Sequence, residues 1–352
     1  MTRAVLAFPG DLDTPTGGYA YDRQVLRALP RHGVDVTPLA LPRAFPFPAA
    51  GDLAETARLL GETPADALLF IDGLGLGALP ASLLRATGRT IVALIHHPLA
   101  REAGLSPEQQ AALEASEREA LAMCAGVVAT SAATGRDLVA NYGVPPERFT
   151  IAEPGVAPAP RAAAQGEPPH ILAIGSVIPR KNYAGLVAAL AGVADLGWTA
   201  TFIGSLDFAP ETVAEVRSLI AAHDLAARIR LAGAVPAEAL EAAYAGCDLF
   251  VHAALYEGYG MVLADALRRG LPMIASTGGA AGDTVPDGSA VKVPPGDTPA
   301  LTAALRALLS DRSARLRLAD AAAEAGAHLP GWDDTARTIA QALKQASRSP
   351  TP

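Results

Sequence analysis

Cysteine is almost missing from this chain: its 352 residues hold two, Cys124 and Cys247, far apart and without CxxC or Cys/His ligand spacing. That excludes a disulfide framework and a structural zinc site, and it fits a reduced, cytoplasmic setting. Long apolar runs are missing too, because charges, prolines or glycines interrupt each one, so no transmembrane segment is expected and the chain reads as soluble. The apolar start up to Pro9-Gly10 is too short for a signal peptide and reads as a first strand. Nor is there an excess of positive charge. The formal net charge is −8, and residues 1–165 hold 13 Arg and no Lys against 17 Asp plus Glu. Nucleic acid and anionic membrane are therefore not expected partners. With half its residues hydrophobic and 18% charged, the chain is not disordered. Its length favours two domains over one.

What is present is an alternation. Short β-branched or Leu-rich runs at 3–8, 35–39, 67–72, 90–95, 126–130 and 149–152 alternate with segments of helical period at 21–29, 53–60, 107–123 and 132–142. This is the pattern of βα units feeding a parallel sheet. The stretch 154–169 then loses all period and gathers stiff Pro and Gly clusters, which reads as an interdomain linker. Strands resume at 170–175, 199–203, 229–232, 249–252, 273–275 and 290–293, and a terminal helix is expected at 334–346. The expected fold class is α/β, two tandem Rossmann-like doubly wound domains facing across a cleft, spanning 1–160 and 168–332. In open sheets of this kind ligands bind outside the carboxyl ends of the strands.

Four places could carry chemistry there. Of 28 basic residues only Lys181, Lys292 and Lys344 are lysines, and Lys181 lies in Pro-Arg-Lys-Asn182 directly after the first strand of the second half. With Arg180 and a following helix it could hold a diphosphate; it could also be an exposed basic turn. Next is Leu255-Tyr-Glu-Gly-Tyr-Gly-Met261, after another strand. Gly258 and Gly260 would let backbone amides approach a ligand, and Glu257 and Asp265 could accept from sugar and ribose hydroxyls. Alternatively Glu257 caps the helix and Asp265 lies on a solvated face. Gly17-Gly18, between the first strand and helix, could form an anion-binding nest or an ordinary turn. His96-His97 follows a strand, and at most one of the two is expected to act on a ligand; the remaining histidines, His252 included, read as structural. Asp72-Gly73-Leu-Gly75-Leu-Gly77 has its third glycine one residue too early for a dinucleotide fingerprint, and Ala78-Leu79-Pro80 is a poor helix start, so a flexible loop is expected.

Taken together, the Gly17-Gly18 loop, His96, Pro-Arg-Lys-Asn182 and Glu257-Gly-Tyr-Gly with an acid eight residues on resemble a retaining family 4 glycosyltransferase of the GT-B fold. Ala129-Thr-Ser131, Tyr142-Gly-Val144, Glu153-Pro-Gly155, the run 245–251, Gly278-Gly279 and Val293-Pro-Pro-Gly-Asp297 extend the likeness over nearly the whole chain. The resemblance implies His96, Lys181 and Glu257 as catalytic residues. It implies a donor site of Gly17, Gly18, Arg180, Lys181, Glu257, Gly258, Tyr259, Gly260, Met261 and Asp265, with no metal and no cofactor beyond a UDP- or GDP-sugar donor. It also implies that the terminal helix, 333–352, returns to the first domain with Trp332 as its anchor. Asp265 stands where the family usually has Glu, roughly 1.5 Å shorter in reach, and Ser176 where it usually has Arg. The acceptor is expected to be a small soluble molecule or glycan, with Phe45 and Phe47 in the run Pro42–Pro48 as an apolar lip or as plain surface packing. A homodimer is left open. A nucleotide-sugar epimerase of the same fold and a catalytically inactive binding partner are the alternatives.

Overall fold

The computed structural model describes residues 1–348; of the expected terminal segment 333–352, residues 349–352 lie outside them. The chain divides into two units, one of Met1–Gly155 with the residues from Pro330 onward, the other Val156–Leu329. Residues 156–160, grouped above with the first half, thus cluster with the second unit, and Pro330–Trp332 with the first.

The first unit is built on β1 (Thr2–Pro9), β2 (Val34–Leu41), β3 (Leu68–Asp72), β4 (Ile91–Ile95), β5 (Gly126–Ala129) and β6 (Phe149–Ile151). They form one parallel sheet in the order β2-β1-β3-β4-β5-β6. Helices cover both faces, so β3 and β4 are buried along their whole length, which explains their near-continuous apolar runs. The helix Trp332–Ala346 completes this unit, burying Ala336, Ile339, Ala340 and Leu343 at helical spacing. Trp332 at its start meets the Tyr21 ring edge-on at 5.6 Å.

The second unit holds β7 (His170–Ile174), β8 (Thr199–Ile203), β9 (Ile229–Gly233), β10 (Leu249–His252), β11 (Met273–Ser276) and β12 (Val291–Val293). Its sheet is also parallel, in the order β12-β11-β10-β7-β8-β9. Trp198, Phe202 and Leu305 are among the residues filling its core.

Two expectations are corrected. The boundary between the units, Gly155 to Val156, does fall inside the stretch read as a linker, but the rest of that stretch is strapped to the second unit: Ala162 N–H donates to Arg269 O at 2.9 Å, and buried Asp248 accepts from Gly166 N–H at 2.6 Å and His170 N–H at 2.8 Å. Proline and glycine forbid regular structure there but not docking, and side-chain acceptors satisfy the irregular backbone. The loop after β3 is not a flexible one either. Asp72 Oδ1 accepts from Leu74 N–H at 2.8 Å and caps a short helix, Gly73–Leu76, whose Leu76 is fully buried. A further helix, Ala81–Ala86, begins right after Pro80. Among the described residues no helix is long and apolar enough to cross a membrane.

Candidate active site

In the second sheet the chain leaves β7 towards β8 on one side and returns as β10 on the other. Loops that depart in opposite directions leave a crevice at the carboxyl ends of such neighbours. The loop after β7 carries Lys181 and the loop after β10 carries Glu257, so both emerge at that switch point.

The two loops are stitched together by one backbone bond and one side-chain bond. Leu255 N–H donates to Arg180 O at 2.8 Å, and Asn182 Nδ2 donates to Ala253 O at 3.3 Å. Glu257 is further fixed against the loop after β11, its N–H donating to Gly278 O at 3.1 Å and its O accepting from Ala280 N–H at 2.8 Å. These bonds place its carboxylate, only 7% exposed as a residue, among three basic side chains. Lys181 Nζ is ion-paired with Oε1, His252 Nε2 lies 2.8 Å from the same oxygen, and Arg180 Nη1 is 3.4 Å from Oε2. Arg180 also donates to Tyr256 O at 2.9 Å. Burial alone would raise the Glu257 pKa, but Lys181, His252 and Arg180 together hold it well below the usual carboxylate range. One carboxylate faces two permanent cations, so the cluster keeps a net positive charge with which to meet an anion.

Gly260 precedes the helix Met261–Arg268 with a φ of 93°, a left-handed conformation that favours glycine, and no side chain caps this helix. Glu257 is therefore not its cap; Leu263 N–H donates to Gly260 O at 2.8 Å, and the amides of Met261 and Val262, without a protein partner among the described residues, are left to water or a ligand. Asp265, one turn on, has its Oδ1 3.7 Å from Arg269 Nη1 and a side chain 37% exposed. Burial pushes its pKa up to about 6 against the pull of Arg269, so it is ionised at neutral pH. Arg269 is itself gripped by Glu241 at 2.6 and 2.7 Å and lies over the Tyr244 ring. Asp265 thus belongs to a charged row and not to a plain solvated face.

In the first sheet the switch point lies between β1 and β3. Gly17 and Gly18 do not form a separate nest: they are the first turn of the helix Gly17–Ala28, capped by Thr16, whose side chain accepts from Tyr19 N–H at 3.3 Å. Gly18 is needed for a different reason. A Cβ there would lie 3.2 Å from Cδ2 of His96, whose ring packs against this turn from the end of β4. His96 Nε2 is 3.3 Å from both Asp22 Oδ1 and Asp72 Oδ2. Its neighbour His97 points elsewhere, 3.2 Å from Glu102. Phe45 is buried in the core of this unit, leaving only Phe47 of the expected apolar lip exposed.

Within the second unit the structure therefore brings together Arg180, Lys181 and Glu257, and within the first His96 and Gly18. Three participants were missed from sequence. His252 ends a strand, where a histidine reads as core, and its only signal is its place five residues before Glu257. Asp22 lies mid-helix and Asp72 at a strand end, and only the folded chain joins them to His96.

Comparison with known proteins agrees with this architecture. Residues 14–159 match the model described as Glycosyltransferase Family 4, and residues 159–325 the one described as Glycosyl transferases group 1. A D-inositol 3-phosphate glycosyltransferase of Xylanimonas cellulosilytica is 30% identical over 291 residues, 75% of this chain and 69% of that protein. An MMP alpha-(1->4)-mannosyltransferase of Mycolicibacterium hassiacum is 26% identical over 326 residues, 86% of this chain and 77% of that protein. Among solved structures, sucrose-phosphate synthase of Thermosynechococcus elongatus superposes with a TM-score of 0.80 at 20% identity, covering 97% of this chain and 99% of that one. Anabaena HepE in complex with UDP and glucose gives 0.77 at 19% identity, covering 96% and 99%.

Proposed function

The chain belongs to the family 4 type of glycosyltransferase, with the GT-B fold, and from that premise we propose that it moves a hexosyl unit from a nucleoside diphosphate sugar to a hydroxyl acceptor, with retention of configuration and without a metal ion. The observation that carries this reading is the meeting of Lys181, Arg180 and Glu257 at the switch point of the second sheet. Relatives named for glycosyl and mannosyl transfer, and a structural neighbour solved with UDP and glucose, support it.

In the unliganded pair Lys181 is neutralised by Glu257. A diphosphate gives Lys181 and Arg180 a second anion, and Glu257 then accepts hydrogen bonds from sugar hydroxyls. Asp265, ionised and one helical turn on, accepts from the ribose. The acceptor oxygen forms its bond to the anomeric carbon as the bond from that carbon to the phosphate oxygen breaks. The electron pair leaves with the diphosphate, and the departing oxygen takes the acceptor's proton. No protein nucleophile is required, so the chief catalytic contribution is electrostatic: cations held where negative charge develops.

Calorimetry on the full chain with UDP, GDP, UDP-glucose and GDP-mannose tests the reading. One nucleoside diphosphate should bind, with at least about a tenfold loss of affinity in Lys181→Ala, because charge-assisted hydrogen bonds to phosphate are lost. Absence of binding by all four ligands, or binding indifferent to Lys181, would refute it.

A further inference from the structure

The first unit holds a charged constellation that the transfer reading does not use in full. His96 follows β4, Asp72 ends β3 and Asp22 lies on the helix Gly17–Ala28, so three elements converge at the carboxyl end of the first sheet, beside its switch point. Nε2 of His96 is 3.3 Å from a carboxylate oxygen of each aspartate. Ionised carboxylates only accept, so Nε2 must carry the proton that both share. Asp22 is fully buried and its second oxygen, Oδ2, has no partner. Asp72 is 3% exposed and is locked by its bond from Leu74 N–H. Two carboxylates at this depth need a counter-charge, and the ring between them is the group in contact with both. The other ring nitrogen, Nδ1, has no protein partner among the described residues, while the side chain keeps 20% exposure.

We propose that Asp22 and Asp72 are positioning residues that grip the His96 ring by its Nε2–H and keep it as an imidazolium, whose second N–H, at Nδ1, is offered to an oxygen of the bound ligand. His96 is then a fixed cationic donor and not a base. That the ligand is a sugar or its phosphate rests on the function proposed above; the charge on the ring does not. Burial would lower the His96 pKa, but its bonds to Asp22 and Asp72 overcome this and raise it to about 10. The other groups facing the cluster leave this sign unchanged. Tyr21 meets the ring edge-on at 5.2 Å, and burial holds its hydroxyl neutral. Tyr19 is likewise held neutral, by burial and by Asp72, Asp22 and Asp11. Arg23 acts on Asp22 only through its charge. Thr130 and Thr134 donate hydroxyls to the His96 carbonyl.

Long-range proton–nitrogen spectra of the imidazoles in the nitrogen-15-labelled full chain test this directly, with His96 identified by the signal lost in His96→Gln. Both ring nitrogens should be protonated from pH 6 to 8.5 in the unaltered protein. In Asp72→Asn and in Asp22→Asn the titration midpoint should fall by about 1 to 3 on the pH scale. Should Asp22→Asn not fold, Asp72→Asn and the unaltered protein decide. A neutral ring at pH 7 in the unaltered protein, or a midpoint unmoved by loss of a carboxylate, would overturn the proposal. So would an Nε2 signal that shifts with zinc chloride and returns with EDTA, since the constellation would then be a metal site. Hydrolysis of UDP-glucose adds a second readout: its rate in Asp72→Asn should gain a fall on the alkaline side near neutrality that the unaltered enzyme lacks, and an identical profile would count against the proposal. If no donor is turned over at all, the transfer reading fails while the spectra still decide the charge on His96.

Discussion

Glu257 is a single carboxylate on which Lys181, Arg180 and His252 all converge, and a buried ion pair is judged by what breaking one half leaves behind. Glu257→Gln leaves two part-buried cations without their counter-charge. The second unit should lose about 2 to 3 kcal/mol in urea denaturation followed by Trp198 fluorescence, the low end for a buried pair because the cations keep some water contact. Lys181→Met in the same chain should restore part of that loss, and strict additivity of the two changes would show that they are not coupled. The legibility of these residues differed for physical reasons. Lys181 stood out because the chain otherwise uses arginine, and Glu257 because glycines flank it in a loop after a strand. His252, Asp22 and Asp72 carried no such signal, since their roles arise from contacts between elements distant in sequence.

Helix starts, more than helix bodies, position this site. Gly260, with its φ of 93°, turns the chain into the helix Met261–Arg268, and a Cβ there would approach Leu263 Cδ1 to 2.8 Å. Gly260→Ala should cost about 1 to 2 kcal/mol for the left-handed backbone alone, and the displaced first turn should weaken nucleoside diphosphate binding; unchanged calorimetric affinity would mean that the helix start does not meet the ligand. The strands were readable from sequence because sheets buried on both faces write continuous apolar runs. The start of the helix Gly17–Ala28 was read four residues late, since two glycines hide what the Thr16 cap begins. The stretch after Glu153 was legible as the place where the units divide, but its docking was not, because composition reports irregular backbone and not what holds it: the Asp248 carboxylate that does so lies far along the chain.

At the scale of the molecule, the buried groups of the two units answer pH differently above about pH 6.5, where Asp265 of the second unit, raised only to about 6, is already ionised. In the first, burial pushes Glu117 up to about 8 despite its bond from Leu99 N–H, and the two aspartates lift His96 to about 10. Both folded values exceed the ordinary ones, so the native unit keeps protons that the unfolded chain gives up. Their stabilisation is complete below the unfolded values and is lost as pH rises through the folded ones. In the second unit Glu257 is depressed, so its contribution is present above the ordinary carboxylate value and lost in acid. Between pH 6.5 and 8 the first unit should therefore lose about 2 to 4 kcal/mol while the second holds, a window that stays below the ordinary thiol and phenol values. The chain supplies its own reporters, because its two tryptophans fall one to each unit: Trp332 against Tyr21 in the first, Trp198 buried in the second. Trp198→Phe and Trp332→Phe variants, unfolded in urea across this range and followed by fluorescence, should give midpoints that separate as pH rises, the Trp332 signal moving to lower denaturant. Midpoints that move together would mean that the units unfold as one body or that these buried groups do not set their stability.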